Sequence, residues 1–400
     1  MDVTLLVIPL LAVLAPLLAR GLGRWVRIPV VVFELLLGIL VGPSVLHWAQ
    51  PSEFAHTLSQ VGLAMLFFVA GTEIEMSALS LRGPNGRTGR PRILGWLVSI
   101  VAGVAVGWVI APGEAAIIIG IALASTALGT LLPILRDAGE LKTPFGRAVG
   151  AVGAVGEFGP LVAISIFLGG RRPGAATVVL VIFLLIAAAA VAYAFLVPQG
   201  ALHRFVGATL HTSGQFAVRV VFLILAALVT LSLLFGIDML LGAFTAGLMW
   251  RLLMRDAAEA DREAVESKIE AVAFGFLVPI FFVYTGVTFD LASLLAQPVL
   301  LAFVPVALVA LLVVRGLPSM LATPAGAKPR DRIAMMLLGA TGLPIIVAVT
   351  SIGVEDKILP SASAAVLVGA GMLSVLLFPL IGMSLRGERE KLTAIVDDTA

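Results

Sequence analysis

Thirteen apolar runs, each about long enough to cross a bilayer, divide this chain and leave little room for anything else. A helix needs roughly 20 apolar residues to cross about 30 Å of hydrocarbon. By that measure the candidate spans lie near 3–22, 28–46, 57–76, 93–111, 115–136, 145–169, 174–196, 217–234, 237–253, 271–287, 293–321, 331–352 and 361–385. Composition agrees: 60% of the residues are hydrophobic and only 12% charged, against about 25% charged in a soluble domain. Lipid satisfies no backbone polar group, so spans of this kind are helices. The expected fold class is an all-α polytopic membrane protein. One membrane domain is expected over 1–385, with a short disordered tail over 386–400. The start, Met1-Asp2-Val3, has no basic stretch before the first apolar run, which is read as a retained helix.

The basic residues test the span count independently. Lys and Arg in short loops are retained on the cytoplasmic side. Arg20, Arg24 and Arg27 follow span one, and Arg82, Arg87, Arg90 and Arg92 follow span three. The pattern holds after every odd span, down to Arg386, Arg389 and Lys391, and takes in 22 of the 26 basic residues. Arg171, Arg172 and Lys357 fall on the other side, and Arg315 lies within a span. Miscounting by one span would scramble this alternation. The N-terminus is therefore expected outside and the C-terminus in the cytoplasm. A turn is expected at Gly83-Pro84-Asn85-Gly86, and a short amphipathic helix over 256–270, leading into span ten.

An ionisable group at membrane depth is costly and points to function. Glu157 stands about 12 residues into span six, ~18 Å along the helix and close to the midplane. Its surroundings read Gly153-Ala154-Val155-Gly156-Glu157-Phe158-Gly159-Pro160. Glycine admits a close neighbour, and Pro160 has no N–H to give to the carbonyl of Gly156. Arg315 stands ~10 Å deep. A guanidinium cannot escape burial by losing its proton, so a carboxylate partner is expected, and Glu157 lies within reach. Snorkelling to headgroups is the other reading. Glu34, in span two, and Glu73, at the cytoplasmic end of span three beside Glu75, are secondary candidates with more ordinary structural readings.

Two spans look broken. Span five carries Ala124-Ser125-Thr126-Ala127-Leu128-Gly129 at its middle, and span twelve carries Gly339-Ala340-Thr341-Gly342-Leu343-Pro344. Interrupted helices at matching places in two halves mark transporter sites, where freed carbonyls and half-helix ends meet ions. Spans five and twelve run in opposite directions, as inverted repeats over spans 2–6 and 9–13 require. Other chemistries find little support. No Walker loop is present. There is no Cys, and His47, His56, His203 and His211 lack metal-ligand spacing. Basic residues alternate with spans rather than cluster, so nucleic-acid binding has no basis. No enzyme activity, cofactor or nucleotide is expected.

These strings resemble the monovalent cation:proton antiporter-2 branch of the cation:proton antiporters, over about residues 1–385. The resemblance rests on Ile28-Pro29-Val30 with Gly38 to Pro43, on Phe68 to Glu75, and on Ser125-Thr126-Ala127 with Leu135-Arg136-Asp137. It also rests on Thr143 to Gly146, on Leu241 to Gly247 and on Pro279 to Gly286. It implies that Glu157 binds the proton and the cation in turn. Arg315 falls at the place of a charge partner. Ser125, Thr126, Thr341 and Gly342 fall at the crossing of the broken helices. It further implies a moving core of spans 4–6 and 11–13, a homodimer built on the rest, and a bacterial plasma membrane. Relatives carry a polar residue before the acid; here Gly156-Glu157 stands, with one donor fewer beside a longer side chain. An asparagine at 156 would be expected to restore that donor and shift the pH optimum of exchange lower, provided the larger side chain fits between helices. Two rival readings are a transporter of an organic anion on a similar fold and a non-transporting sensor with a fixed Glu157–Arg315 pair.

Overall fold

The computed structural model describes residues 4–22, 29–73, 90–168, 173–196, 215–255 and 257–397, and structural statements below refer to these. All their regular structure is helical. The first helices are α1 (Thr4–Leu22), α2 (Val30–Val41), α3 (Glu53–Glu73), α4 (Arg90–Ile110), α5 (Glu114–Leu123), α6 (Leu128–Asp137), α7 (Pro144–Phe167) and α8 (Pro173–Leu196). Then come α9 (Phe216–Leu234), α10 (Met239–Leu253), α11 (Glu259–Val272), α12 (Val278–Val287), α13 (Leu291–Ala296), α14 (Pro298–Leu311) and α15 (Leu317–Ser319). The last are α16 (Pro329–Gly339), α17 (Pro344–Glu355) and α18 (Ser361–Asp397), which continues past Arg386. Two π-turns interrupt the series, at Ala273–Leu277 and Leu312–Gly316.

Every expected span coincides with helix. Among the described residues, nine helical segments are long and apolar enough to cross a membrane. Spans one, two, seven and nine correspond to shorter apolar stretches, Leu6–Gly21, Val30–Val41, Gly174–Ala190 and Met239–Leu253. The amphipathic lead-in to span ten is α11, which runs through the first π-turn into α12. The turn at Gly83 to Gly86 lies outside the described residues, as do Arg24, Arg27, Glu75, Arg82, Arg87, Arg171, Arg172, Arg204, His203 and His211.

The chain divides into two compact units. The first comprises Met1–Ala15, Glu34–Ile74 and Leu161–Thr288. Its helices meet backbone to backbone. A Cβ on Gly38 would strike Val283 O, and one on Gly42 would stand 3.0 Å from Val287 O, so α2 and α12 run parallel. Gly247 meets Phe68 in the same way, and Arg251 Nη1 donates to Thr72 O, so α3 and α10 are also parallel. Spans two and ten are both even and spans three and nine both odd, as the count requires. Around the α2–α12 seam pack Val7, Ile8 and Leu11 of α1 with Val41, Ala55, Ile280 and Val287.

The second unit comprises Pro16–Phe33, Glu75–Pro160 and Phe289–Ala400. It gathers spans four to six and eleven to thirteen, the set that the family resemblance assigns to a moving core. Helices α4 and α5 are antiparallel, Gly103 lying against Gly120 and Gly107 against Ala116. One apolar cluster joins Leu131 and Leu135 of α6, Phe145, Val149 and Val152 of α7, and Ala334, Met335 and Leu338 of α16. Arg386 of α18 closes that end. It donates to Glu140 Oε1 at 2.7 and 3.1 Å and to Asp331 Oδ1 at 2.5 Å, with its guanidinium 3.7 Å above the Phe145 ring.

Candidate functional site

Both expected breaks are present in the second unit, and the local sequence accounts for each. Between α5 and α6, Ser and Thr compete with the helix for its own carbonyls. Ser125 Oγ donates to Ala122 O at 2.8 Å, and Thr130 Oγ1 donates to Ala127 O at 3.0 Å. Between α16 and α17 the chain opens at Ala340, and Pro344 starts the next helix at its first turn, a position where its missing N–H costs nothing.

The two breaks brace each other. Ala127 N, which would otherwise close a turn on Leu123 O, donates to Thr341 O at 2.8 Å. Thr126 Oγ1 donates to Gly339 O at 2.6 Å. Thr126 N donates to Gly156 O at 2.9 Å. That last bond is the one Pro160 makes available, because proline has no N–H to offer the carbonyl four residues earlier. The first break is thus docked on α7 one residue before Glu157, which is 2% exposed.

Arg315 completes this node. It lies in the π-turn Leu312–Gly316, just before Pro318, and is 1% exposed. Such turns insert an extra residue and re-aim side chains. Its Nε donates to Thr126 Oγ1 and its Nη2 to Val152 O, both at 2.8 Å. Ser319 Oγ donates back to Arg315 O at 2.7 Å, which ties the turn to its own helix. The guanidinium hydrogen bonds therefore end on neutral oxygens of the break and of α7.

Gly156 explains how Arg315 arrives there. A Cβ at 156 would collide with Arg315 Nη2 and with Thr126 Oγ1 and Cβ. The missing side chain is the space that the guanidinium occupies. This bears on the asparagine variant: a side chain at 156 fits only if Arg315 Nη2 and Thr126 shift. The second glycine of the run, Gly159, lies against the indole ring of Trp96 from α4.

The hydroxyls have settled roles. Ser125, Thr126 and Thr341 each give their proton to a backbone carbonyl, the last to Leu337 O at 3.1 Å. What each oxygen has left is lone pairs. Thr126 spends one of these on Arg315. Gly342 contributes no side chain, and a Cβ there would stand 3.1 Å from Ser125 Oγ. Of the expected site residues, Ser125, Thr126, Thr341, Gly342 and Arg315 are brought together in the second unit, next to the residue preceding Glu157. Glu34, 5% exposed, and Glu73 belong to the first unit.

Three residues escaped the sequence reading. Val152 acts through its carbonyl, which no side-chain pattern reveals. Gly371 and Ser374 of α18 hold the second break, Ser374 accepting from Gly342 N at 3.1 Å. For Gly371 a signal was available in the repeat, whereas Ser374 falls opposite Gly159 and had none (159 + 215 = 374). A step of 215 residues carries Thr126 to Thr341 and Gly156 to Gly371 (341 − 126 = 371 − 156 = 215).

Comparison with known proteins gives a consistent picture. The family model for the sodium/hydrogen exchanger transmembrane region matches residues 10–383. The chain is 26% identical over 395 residues to the putative Na(+)/H(+) antiporter YjbQ of Bacillus subtilis, covering 94% of this chain and 62% of that protein. The Na(+)/H(+)-K(+) antiporter GerN of Bacillus cereus is 29% identical over 298 residues, 70% of this chain and 71% of its own. The solved structure of the sodium proton antiporter MjNhaP1 from Methanocaldococcus jannaschii superposes with a TM-score of 0.66. It covers 94% of each chain at 16% identity, a likeness of fold.

Proposed function

We propose that this chain, which belongs to the sodium/hydrogen exchanger transmembrane family, exchanges protons for a monovalent cation, Na⁺ or K⁺, by alternating access at Glu157. The observation that carries the reading is a buried carboxyl beside two crossed, broken helices whose hydroxyl protons are all committed to backbone carbonyls. Such hydroxyls offer a newcomer only lone pairs, which suit a cation and repel an anion. Leu123 O, deprived of its helical donor, adds a carbonyl of the same kind.

Exchange then follows from competition at one acid. Glu157 takes a proton when it faces one side. Facing the other, it gives the proton up and binds the cation, with Ser125, Thr341 and break carbonyls completing the shell. A carboxyl that is always either protonated or ion-bound couples the two fluxes. Arg315 keeps its charge throughout, fixed by Thr126 and Val152 O.

An organic-anion transporter would use Arg315 as the receptor, but two of its N–H groups are already spent on neutral oxygens. The exchanger works as a homodimer in a bacterial plasma membrane, N-terminus outside and C-terminus in the cytoplasm. The alternation of Lys and Arg supports that orientation, and the parallel pairing of equal-parity spans supports the span count on which it rests. The test is proton flux in proteoliposomes, read with a pH dye after addition of Na⁺, K⁺ or Li⁺. Cation-dependent proton movement is expected. Flux driven by carboxylic acids, or no flux with any of these, would sink the reading.

A further inference from the structure

Ser374 sits at the middle of α18 and is wholly buried. A serine inside a helix ordinarily bonds back to its own helix, and its Oγ does lie 2.7 Å from Gly371 O. It also makes two contacts to a single residue 32 positions earlier. It accepts from Gly342 N at 3.1 Å and lies 3.0 Å from Gly342 O, so its one proton is shared between two carbonyls. Gly371 makes the approach feasible, since a Cβ there would stand 3.0 Å from Gly342 O. Both polar groups of Gly342 are therefore turned toward α18. Its bare Cα is left facing Ser125, with no side chain between them.

We propose that Ser374 is a positioning residue of the exchange site, holding the Gly342 N–H and C=O on the α18 side. The proposal rests on the reading of the two breaks and Glu157 as the exchange site. The chemistry is that of one peptide. Gly342 has no Cβ to resist rotation, and Ser374 bonds both its N–H and its C=O. Released, its N–H seeks another acceptor, and the lone pairs of Ser125 stand closest to its open side. An N–H bonded there would occupy an oxygen meant for the cation and would bring a partial positive charge to it. Ser374 thus affects cation binding in the ground state more than it affects the rate of interconversion.

The test uses the full chain in proteoliposomes, with the cation concentration for half-maximal exchange (KM) and the maximal rate measured separately. Ser374→Ala should raise KM about tenfold, the cost of a lost buried hydrogen-bond pair, and change the maximal rate much less. Ser374→Thr keeps the hydroxyl and should return KM to near the wild-type value. Should Ser374→Ala fail to fold, Gly371→Ala probes the same contact by pushing on Gly342 O, with the same rise in KM expected while Ser374 stays in place. An unchanged KM in folded Ser374→Ala or Gly371→Ala overturns the proposal. So does a Ser374→Thr protein no better than Ser374→Ala. Wild-type protein without cation-dependent flux would instead overturn the exchange reading itself.

Discussion

The two broken helices of the second unit meet the same requirement with different means. Each break turns a backbone N–H toward a neighbouring helix, α7 in the first repeat and α18 in the second. In the first repeat Thr126 N donates to Gly156 O, a backbone carbonyl. At the equivalent place in the second, Thr341 N donates to Leu338 O of its own half-helix, and it is the next residue, Gly342, whose N–H reaches a neighbour, the side chain of Ser374. One sequence difference bears on the first of these bonds. The step of 215 that takes Gly156 to Gly371 takes Pro160 to Val375 (160 + 215 = 375). Proline leaves its carbonyl partner without a helical donor, so Gly156 O is open to Thr126 N, whereas valine has an N–H to give to Gly371 O. The same step takes Glu157 to Met372 (157 + 215 = 372), which is 8% exposed. Both repeats keep the small residue that lets the break approach. Only one carries an acid.

The largest effect should come from that asymmetry. Glu157→Gln should abolish cation-dependent proton flux in proteoliposomes while the protein remains folded and inserted. Met372→Leu, at the equivalent place, should leave flux within about twofold, since a volume-conserving apolar change is well tolerated. Equal loss in both would break the comparison, and so would flux that survives in Glu157→Gln.

The next effect concerns what stands beside each glycine. Arg315→Ala leaves a cavity and deprives Thr126 Oγ1 of its donor, and should destabilise the protein by about 3 kcal/mol. Thr126→Val should cost less. The double variant should be less damaged than the sum of the two, with a coupling on the order of 1 kcal/mol. Thermal unfolding in detergent measures all three. Strict additivity would separate Arg315 from Thr126.

Much of this was legible in the sequence, for identifiable reasons. Spans are legible because lipid demands long apolar runs and the translocation machinery sorts Lys and Arg. The breaks are legible because Ser125-Thr126 and Gly342-Leu343-Pro344 oppose helix locally. The freed carbonyl of Gly156 follows from the covalent structure of Pro160, but its partner, Thr126 N, does not. The partners of Arg315 were not legible. It is drawn toward a hydroxyl 189 residues away and a backbone carbonyl 163 residues away, contacts that no local pattern announces. The π-turn that aims it leaves no motif beyond Gly316 and Pro318. Ser374 reads as an ordinary polar residue in a glycine-rich span, and the repeat step pairs it with Gly159 rather than with a residue of the break (159 + 215 = 374).

Gly156→Ala sharpens the comparison further. Its Cβ meets the end of Arg315, which can shift only by giving up Val152 O or Thr126, so overpacking of roughly 1–3 kcal/mol is expected. The variant should lose flux in step with stability. A fully active, fully stable Gly156→Ala protein would show that Arg315 is not held there. The smallest effect belongs to Pro160→Ala. The restored N–H would share Gly156 O with Thr126 N, and the carbonyl has two lone pairs. A stability change within about 1 kcal/mol and a modestly slower exchange are expected, from the same unfolding and flux assays. A collapse of activity would mean that the first break depends on that single bond far more than the second depends on Ser374.

The central claim, that a proton and a cation compete for Glu157, can be read without a membrane. Purified protein in weakly buffered detergent solution is mixed with NaCl, KCl or choline chloride, and the pH is followed with a dye. The account predicts proton release on addition of Na⁺ or K⁺, none with choline, and none from Glu157→Gln with any salt. Release that persists undiminished in Glu157→Gln, or wild-type protein that binds the cation without releasing a proton, would contradict it.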